Sequence, residues 1–585
     1  MRARRRFLVG LLAVTALVLS GCSGLASGGP VQPGLTVGEG ETSPLTIVFP
    51  GPEPDASQES IVRGFLRAGA ASDGAYDNAR RFLAGEVAEQ WNPDESLVLL
   101  SSPAAPQVRI TGPASVQVSA EAAGTVDTSG RYTAMAPGTT VTADFRLASA
   151  DGQWRIDRIP EGFGRWIASN DVARLVQPFS VHFVSTSLRR TVPDVRWFPL
   201  DRLATRLARA QLLPLPGYLE GAAVTAVPEG ARLLGDAVSV ENGVASVNLI
   251  STPLAPGEPT RQDLWAQFVS TLTQDPSVTA VRLAIDGVPV DLAGVQGSVS
   301  SLTRIGFPAP EPDTSLAKPV VRRGDQVSVF DPELVTREGG RAPEAPVPFP
   351  DIPAGYTGLA ESADGKELAA VDPGDEGISR WREDVRYEVP AVGSAVGAPA
   401  YDRRGFLWFG AVAPQGRLFV IDVGADPADA EAAAPSVVEA PWLADRRVSE
   451  ATSSDGGDRV VVLSTRPDGS DPRVDLAGVV REEGGRPTTL SSPLRLGVAF
   501  SSLTGLTWVD PTTVATVAGI GGERVPTVLS TGGSMIRLTA VADASEVATD
   551  GDGDLYVIAA GRLFRLSGSR WVDGGPGTDL ASPAG

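Results

Sequence analysis

The 585-residue chain holds one cysteine, Cys22, and one histidine, His182, so thiol or imidazole chemistry has only these two positions to use. They cannot build a His- or Cys-rich zinc site, and a Ser-His-Asp or Cys-His arrangement away from His182 is impossible. His182 sits in "VHFV", where alternation turns it away from Val181 and Phe183 and makes it an ordinary, partly exposed strand residue. No nucleophile elbow, Walker loop or dinucleotide fingerprint occurs in a strand-to-helix context. Carboxylates remain: with 70 acidic residues, two can meet across a sugar bond without leaving a linear signal, and no pair is marked by spacing. In "DGDGDLY", Asp550, Asp552 and Asp554 have the spacing of the first ligands of a calcium loop. Leu555 and Gly561 stand where that loop needs a glycine and a bidentate glutamate, so the stretch reads as a hairpin turn, as does "SSDGGD" at 453–458. No cofactor or metal is expected.

Cys22 is placed for a different reaction. Arg2, Arg4, Arg5 and Arg6 precede an apolar run, Phe7 to Leu19, of 13 residues, which is short of the roughly 20 needed to span a bilayer. Leu19-Ser20-Gly21-Cys22 follows, with small residues that admit a peptidase and a thiol that takes a diacylglycerol; it resembles the bacterial lipoprotein lipobox. Residues 1–21 are therefore expected to be a lipoprotein signal peptide, and Cys22 the lipidation site, bearing S-diacylglycerol and an N-palmitoyl chain. One chain holds a protein marginally, whereas two or more anchor it at about 0.8 kcal/mol per buried methylene. The expected location is the extracytoplasmic face of the cell membrane. The lack of a second cysteine argues against a disulfide role.

Charge narrows the partners. The formal charge is −20, and removal of residues 1–21, with four arginines and no acid, brings it to −24. Nucleic acid is thus not expected, because phosphate contacts need clustered Lys or Arg. The scarcity of lysine, Lys318 and Lys366 alone, reads as a compositional habit.

The length calls for three or four domains. Residues 22–43, rich in Gly, Ser, Pro and Thr, read as a flexible stalk. Residues 44–165 read as an α+β domain. Asp55 and Gln58 mark a helix start; Ile61, Val62, Phe65 and Leu66 share one face; a second short helix carries Tyr76, Phe82 and Leu83. Alternating runs at 116–121, 140–147 and 153–157 then supply an antiparallel sheet.

Residues 178–296 form a second α/β unit. "FSVHFVS" is strand-like, and Leu203, Leu207 and Leu212 share a helix side. Asn242-Gly243 and Asp286-Gly287 are turn pairs, and Thr260 with Asp263 is a box-like cap for a helix burying Leu264, Phe268 and Leu272. Residues 297–353, with ten prolines from Pro308 to Pro353, read as a linker or wrapping segment.

Residues 354–577 pair polar turns with β-rich runs, and the turn glycines Gly365, Gly405 and Gly456 are spaced by 40 and 51 residues. That is the length of a four-stranded propeller blade, and a radial repeat keeps edges short. A β-sandwich is the alternative. The span allows five blades, or six if linker strands join and help to close the ring. Two aromatic clusters, Phe406, Trp408 and Phe409 beside Arg403 and Arg404, and Trp197 with Phe198, read as core packing, with a protein-binding patch as the alternative.

The order "AVPEGARLLG", "NGVASVNL", "FVSTLTQDPSVTAVRLAIDG" resembles the GerMN domain. Together with the cysteine motif and the flanking segments, it makes the chain resemble the actinobacterial LpqB lipoprotein family. The resemblance implies a multidomain α+β and all-β protein, with a GerMN-like α/β domain and a C-terminal β-propeller. It also implies a non-enzymatic, membrane-anchored accessory lipoprotein that binds and modulates the extracellular sensor domain of an MtrB-type histidine kinase in two-component signalling to the envelope and cell division. The alternatives are a protein that binds or hydrolyses envelope glycans, and a structural ligand-sensing module.

Overall fold

The computed structural model describes residues 50–70, 76–150, 152–251, 257–308, 319–330, 347, 349–550 and 553–583. The expected signal peptide, Cys22 and the stalk lie outside the described residues. Among the described residues, no helix is long and apolar enough to cross a membrane.

In the first module the helix Gln58–Ala70 lies on a seven-stranded sheet. Its strands run in the order Gln153–Arg158, Thr140–Ala150, Ser115–Val126, Leu97–Leu100, Arg165–Ile167, and Gln107–Gly112 and Tyr132–Ala134 also pair with Ser115–Val126. The spacing of Ile61, Val62 and Phe65 puts all three on the buried face, where Phe65 meets Trp91 edge-on at 5.0 Å and Phe145 at 6.1 Å. The helix start differs from the sequence expectation. Ser57 Oγ accepts the Ser60 N–H at 3.2 Å and its carbonyl accepts the Ile61 N–H, so Ser57 is the cap. Asp55 is in a left-handed conformation outside the helix, φ 56°.

The second module starts with a hairpin, Val176–Ser185 against Thr191–Pro199, whose first strand also pairs with Ala223–Val224. A second sheet has Val244–Ile250 parallel to Ala280–Ile285, joined through the helix Glu258–Leu272 in a βαβ crossover. Asn242 and Gly243 have φ values of 51° and 77°, and Asp286 and Gly287 of 50° and 78°, so both pairs form two-residue hairpin turns of the kind that needs positive φ twice. Leu264, Phe268 and Leu272 are buried as the periodicity requires. Thr260 is not the cap: the helix begins at Glu258 after Gly257, with Pro259 in its first turn.

The third module is a six-bladed propeller. Five blades follow the chain, beginning with Thr357–Glu361, Ala400–Tyr401, Arg447–Ser453, Ser502–Asp510 and Ala544–Thr549 as their first strands; four are four-stranded sheets, and the third has a fifth strand, Leu494–Leu496, paired with Arg473–Arg481. In the sixth sheet, Val320–Arg323 lies between Gln326–Val329 and the C-terminal strand Asp579–Ala581. Two strands from the Pro-rich segment thus complete a blade with the end of the chain. Arg322 and Asp579, both buried, lock it with an ion pair of 2.6 Å.

Candidate functional site

The three modules are joined by buried and half-buried contacts. Trp197 donates its backbone N–H to Gly130 O at 2.7 Å and packs its ring 5.3 Å from Tyr132, while Arg206 pairs with Asp94 at 2.8 Å. Asp194, fully buried, accepts from Arg196, Arg131 and Tyr218, so its charge has two cations and a hydroxyl. The second module and the propeller share one hydrophobic core, in which Phe183, Leu207 and Phe268 belong to the same cluster as Val461, Leu476 and Val514 of the third and fourth blades. Polar contacts seal its edge. Ser185 Oγ donates to Asp458 at 2.5 Å, Ser491 Oγ donates to Tyr218 O at 2.6 Å, and Arg459 reaches Pro193 O at 3.1 Å and Pro511 O at 2.7 Å.

This joint accounts for several residues singled out by sequence. His182 is half-buried in its strand under the helix Glu258–Leu272, where Thr271 Oγ1 accepts its backbone N–H at 3.0 Å. Gln211 and Gln267 donate to the His182 carbonyl at 3.0 and 3.2 Å. Burial, with the nearby Arg459 guanidinium, pushes its imidazole down to about 4, so it stays neutral as a structural residue. Phe406, Trp408 and Phe409 are buried, and Trp408 Nε1 donates to Asp402 at 2.9 Å: this cluster is core and not a binding patch. Arg403 pairs with Asp455 at 2.6 Å, and Arg404 donates to Ser187 at 3.0 Å. Phe198 is buried in the shared core and Trp197 packs on the first module.

Both acidic stretches lie between neighbouring antiparallel strands. Asp550 accepts the Asp554 N–H and the Tyr556 hydroxyl, each at 2.9 Å, and Asp554 pairs with Arg565, so these carboxylates already have protein partners. Residues 551 and 552 lie outside the described residues. "SSDGGD" turns between two strands of the third blade, and its last residue, Asp458, holds the second module through Ser185, a role that spacing alone did not disclose.

A second region that sequence did not reveal is the propeller axis. One strand from each of the six sheets lines a central channel of about 110 Å³. The first strands of the first, third, fourth and fifth blades each carry a β-bulge near the same level, at the Thr357/Ala360, Val448/Glu450, Thr504/Leu506 and Ala544/Glu546 steps. A bulge re-aims the side chain that follows it. Here that places Glu450 and Glu546 on the lining, with Glu361 at the end of the first blade's strand. Gly358 and Gly505 allow the inner strands to approach: a Cβ on Gly358 would lie 2.7 Å from the Ala398 Cβ, and one on Gly505 2.7 Å from the Val547 backbone nitrogen.

The channel perturbs its acids. Burial pushes Glu361 up to about 9 against one favourable backbone N–H from Val320. Glu450 rises to about 7 through burial, although the N–H groups of Gly505 and Leu506 favour its charge. Glu546 is held well above the carboxylate range by burial, then by Asp579 and Glu450. Glu450 and Glu546 are half-buried and line the channel. Among the described residues, no three His, Cys, Asp or Glu side chains are grouped to hold a metal ion.

Comparison with known proteins matches all three modules. Residues 51–173 match the N-terminal domain of lipoprotein LpqB, 180–291 the sporulation and spore germination module called Germane, and 333–584 the LpqB β-propeller domain. Lipoprotein LpqB of Thermobifida fusca is 26% identical over 549 residues, covering 85% of this chain and 84% of that protein. The Mycobacterium tuberculosis lipoprotein of the same name is 24% identical over 531 residues, with the same coverage. That of Bifidobacterium longum is 32% identical over 252 residues, 41% of this chain and 43% of its own. These relatives are named as lipoproteins and not for a catalytic activity.

Proposed function

We propose a function from the premise that this chain belongs to the LpqB lipoprotein family: it is an accessory protein, anchored on the outer face of the cell membrane, that binds the sensor domain of an MtrB-type histidine kinase and shifts its signalling. The anchor is Cys22, whose setting in Leu19-Ser20-Gly21-Cys22 suits acylation after removal of residues 1–21. Tethering confines the binding faces to a thin layer beside the membrane and raises their effective concentration toward a membrane partner, so modest contacts suffice.

The observation that carries the reading is the core shared by the second module and the propeller. A partner that grips either module meets both as one unit, so its binding energy goes into choosing between its own states and not into ordering a loose chain of domains. The protein acts by binding and performs no phosphotransfer. The test is kinase reconstituted in vesicles with its sensor domain outward, with and without the acylated protein. The anchored form is expected to change autophosphorylation, and a Cys22→Ser form to require far higher concentration for the same change. No change with either form would overturn the proposal.

A further inference from the structure

We propose that the propeller axis is a binding site for an organic cation, an alkylammonium or guanidinium group, held by Glu361, Glu450 and Glu546. This goes beyond the kinase reading and does not depend on it. The three glutamates come from the first, third and fifth blades, so they surround the channel instead of clustering on one wall. None has an ion-pair partner among the described residues. Arg322, the cation near Glu546, is committed to Asp579, to which its Nε and Nη2 both donate, at 2.9 and 2.6 Å.

A separate observation points to a missing donor. Glu361, which lines the channel, is only 3% exposed, and its Oε2 has no hydrogen-bond partner among the described residues. A buried carboxyl oxygen left unpaired is costly, and natural proteins seldom keep one without a use.

The lining selects the kind of cation. A compact metal ion needs several ligands drawn together at about 2.0–2.6 Å, and no such group of acids exists among the described residues. Carboxylates spread around a ring suit a group whose N–H donors point outward in several directions, and an ammonium offers three and a guanidinium five. Thr452, Thr507 and Thr549 also line the channel and bring hydroxyl oxygens, while Leu359, Leu506 and Val547 supply apolar surface for a methylene stem. The volume of about 110 Å³ lies below the roughly 300–1,000 Å³ of pockets for drug-sized ligands and suits a head group.

The charge state follows from the geometry. Without a cation, burial raises the proton affinity of all three acids, and Asp579 and Glu450 act on Glu546 in the same sense, opposed by Arg322; Glu450 meets the N–H groups of Gly505 and Leu506, and Glu361 that of Val320. A cation entering the axis must therefore displace protons, and its affinity must rise with pH. The same head group can come from a free amine or from a Lys or Arg side chain of a partner.

The experiment is titration calorimetry of the full chain with agmatine, cadaverine and an acetylated arginine peptide, at pH 6 and pH 8.5 and in buffers of different ionisation heat. Expected are saturable binding at least about tenfold tighter at pH 8.5, release of protons, and at least tenfold loss in Glu450→Gln/Glu546→Gln and in Glu361→Gln. Glutamine mimics the protonated acid, so these variants keep the fold, which melting curves check. Glu523→Gln, an exposed acid paired with Arg537, is expected to bind as wild type. Agmatine or cadaverine binding alone assigns the site to free amines, and tighter peptide binding assigns it to a partner's side chain. No binding by any of the three, equal binding by the glutamine variants, or affinity that does not change with pH would overturn the proposal.

Discussion

Asp579→Asn tests how the ring is closed. Asp579 and Arg322 are both about 97% buried, from strands 257 residues apart, and Asp579 also accepts the Leu359 N–H at 3.4 Å. The substitution leaves the Arg322 guanidinium buried without its counter-charge. Breaking a buried pair in this way costs about 3–5 kcal/mol. At about 2–4 °C per kcal/mol for a unit of this size, the melting temperature should fall by roughly 6–20 °C. Differential scanning calorimetry measures the fall, and limited proteolysis should show earlier cleavage near the C-terminal strand. Replacing both partners by apolar residues, Arg322→Met/Asp579→Leu, should recover most of the loss, because no charge is then stranded. A shift under 2 °C for Asp579→Asn, or a double variant worse than the single, would refute the reasoning that this pair fastens the sixth blade.

Stability should also depend on pH through Glu361. Its folded value of about 9 lies above its unfolded value of 4.5, so the folded state holds the proton more tightly, and the stabilisation, complete below 4.5, is lost as pH rises to about 9. Urea titrations should show a decline of up to about 1.4 kcal/mol per pH unit in that window, which Glu361→Gln removes. His182 works in the opposite direction: its folded value of about 4 lies below 6.5, so stability is lost as pH falls from 6.5 toward 4, and His182→Gln should flatten that limb in the same titration. Gly358→Ala should destabilise by about 1–3 kcal/mol, since φ is 64° and the new Cβ meets Ala398, and thermal melting checks it. Asp458→Ala should split one calorimetric transition into two, because it removes the anchor of Ser185 and Arg190 at the joint between modules.

What the sequence disclosed was local. Asn242-Gly243 demands positive φ twice and so announces its hairpin, and the Leu264, Phe268, Leu272 stripe announces a buried helix face. The caps were less legible, since Ser57 caps with its hydroxyl among other polar residues able to do the same, and Gly257 has no side chain to mark it. The radial repeat could be read from turn glycines, but the blade number could not be fixed, because the sixth sheet pairs Val320–Arg323 with Asp579–Ala581, with Arg322 and Asp579 257 residues apart. The channel was hidden for a similar reason. Glu450 and Glu546 gain their position from a bulge in each strand and from inner strands of other blades, and neither leaves a mark among 70 acidic residues. Asp458 looked like any turn acid until the second module was seen against it.

The most direct test of the account is crosslinking at the surface of intact cells, comparing the native protein with a Cys22→Ser form and identifying what each captures by mass spectrometry. The account predicts an acyl chain on Cys22 as the first residue, and recovery of a sensor histidine kinase with the anchored form at far greater yield than with the unanchored one. A native protein that retains residues 1–21, or capture of no kinase by the acylated form, would contradict it.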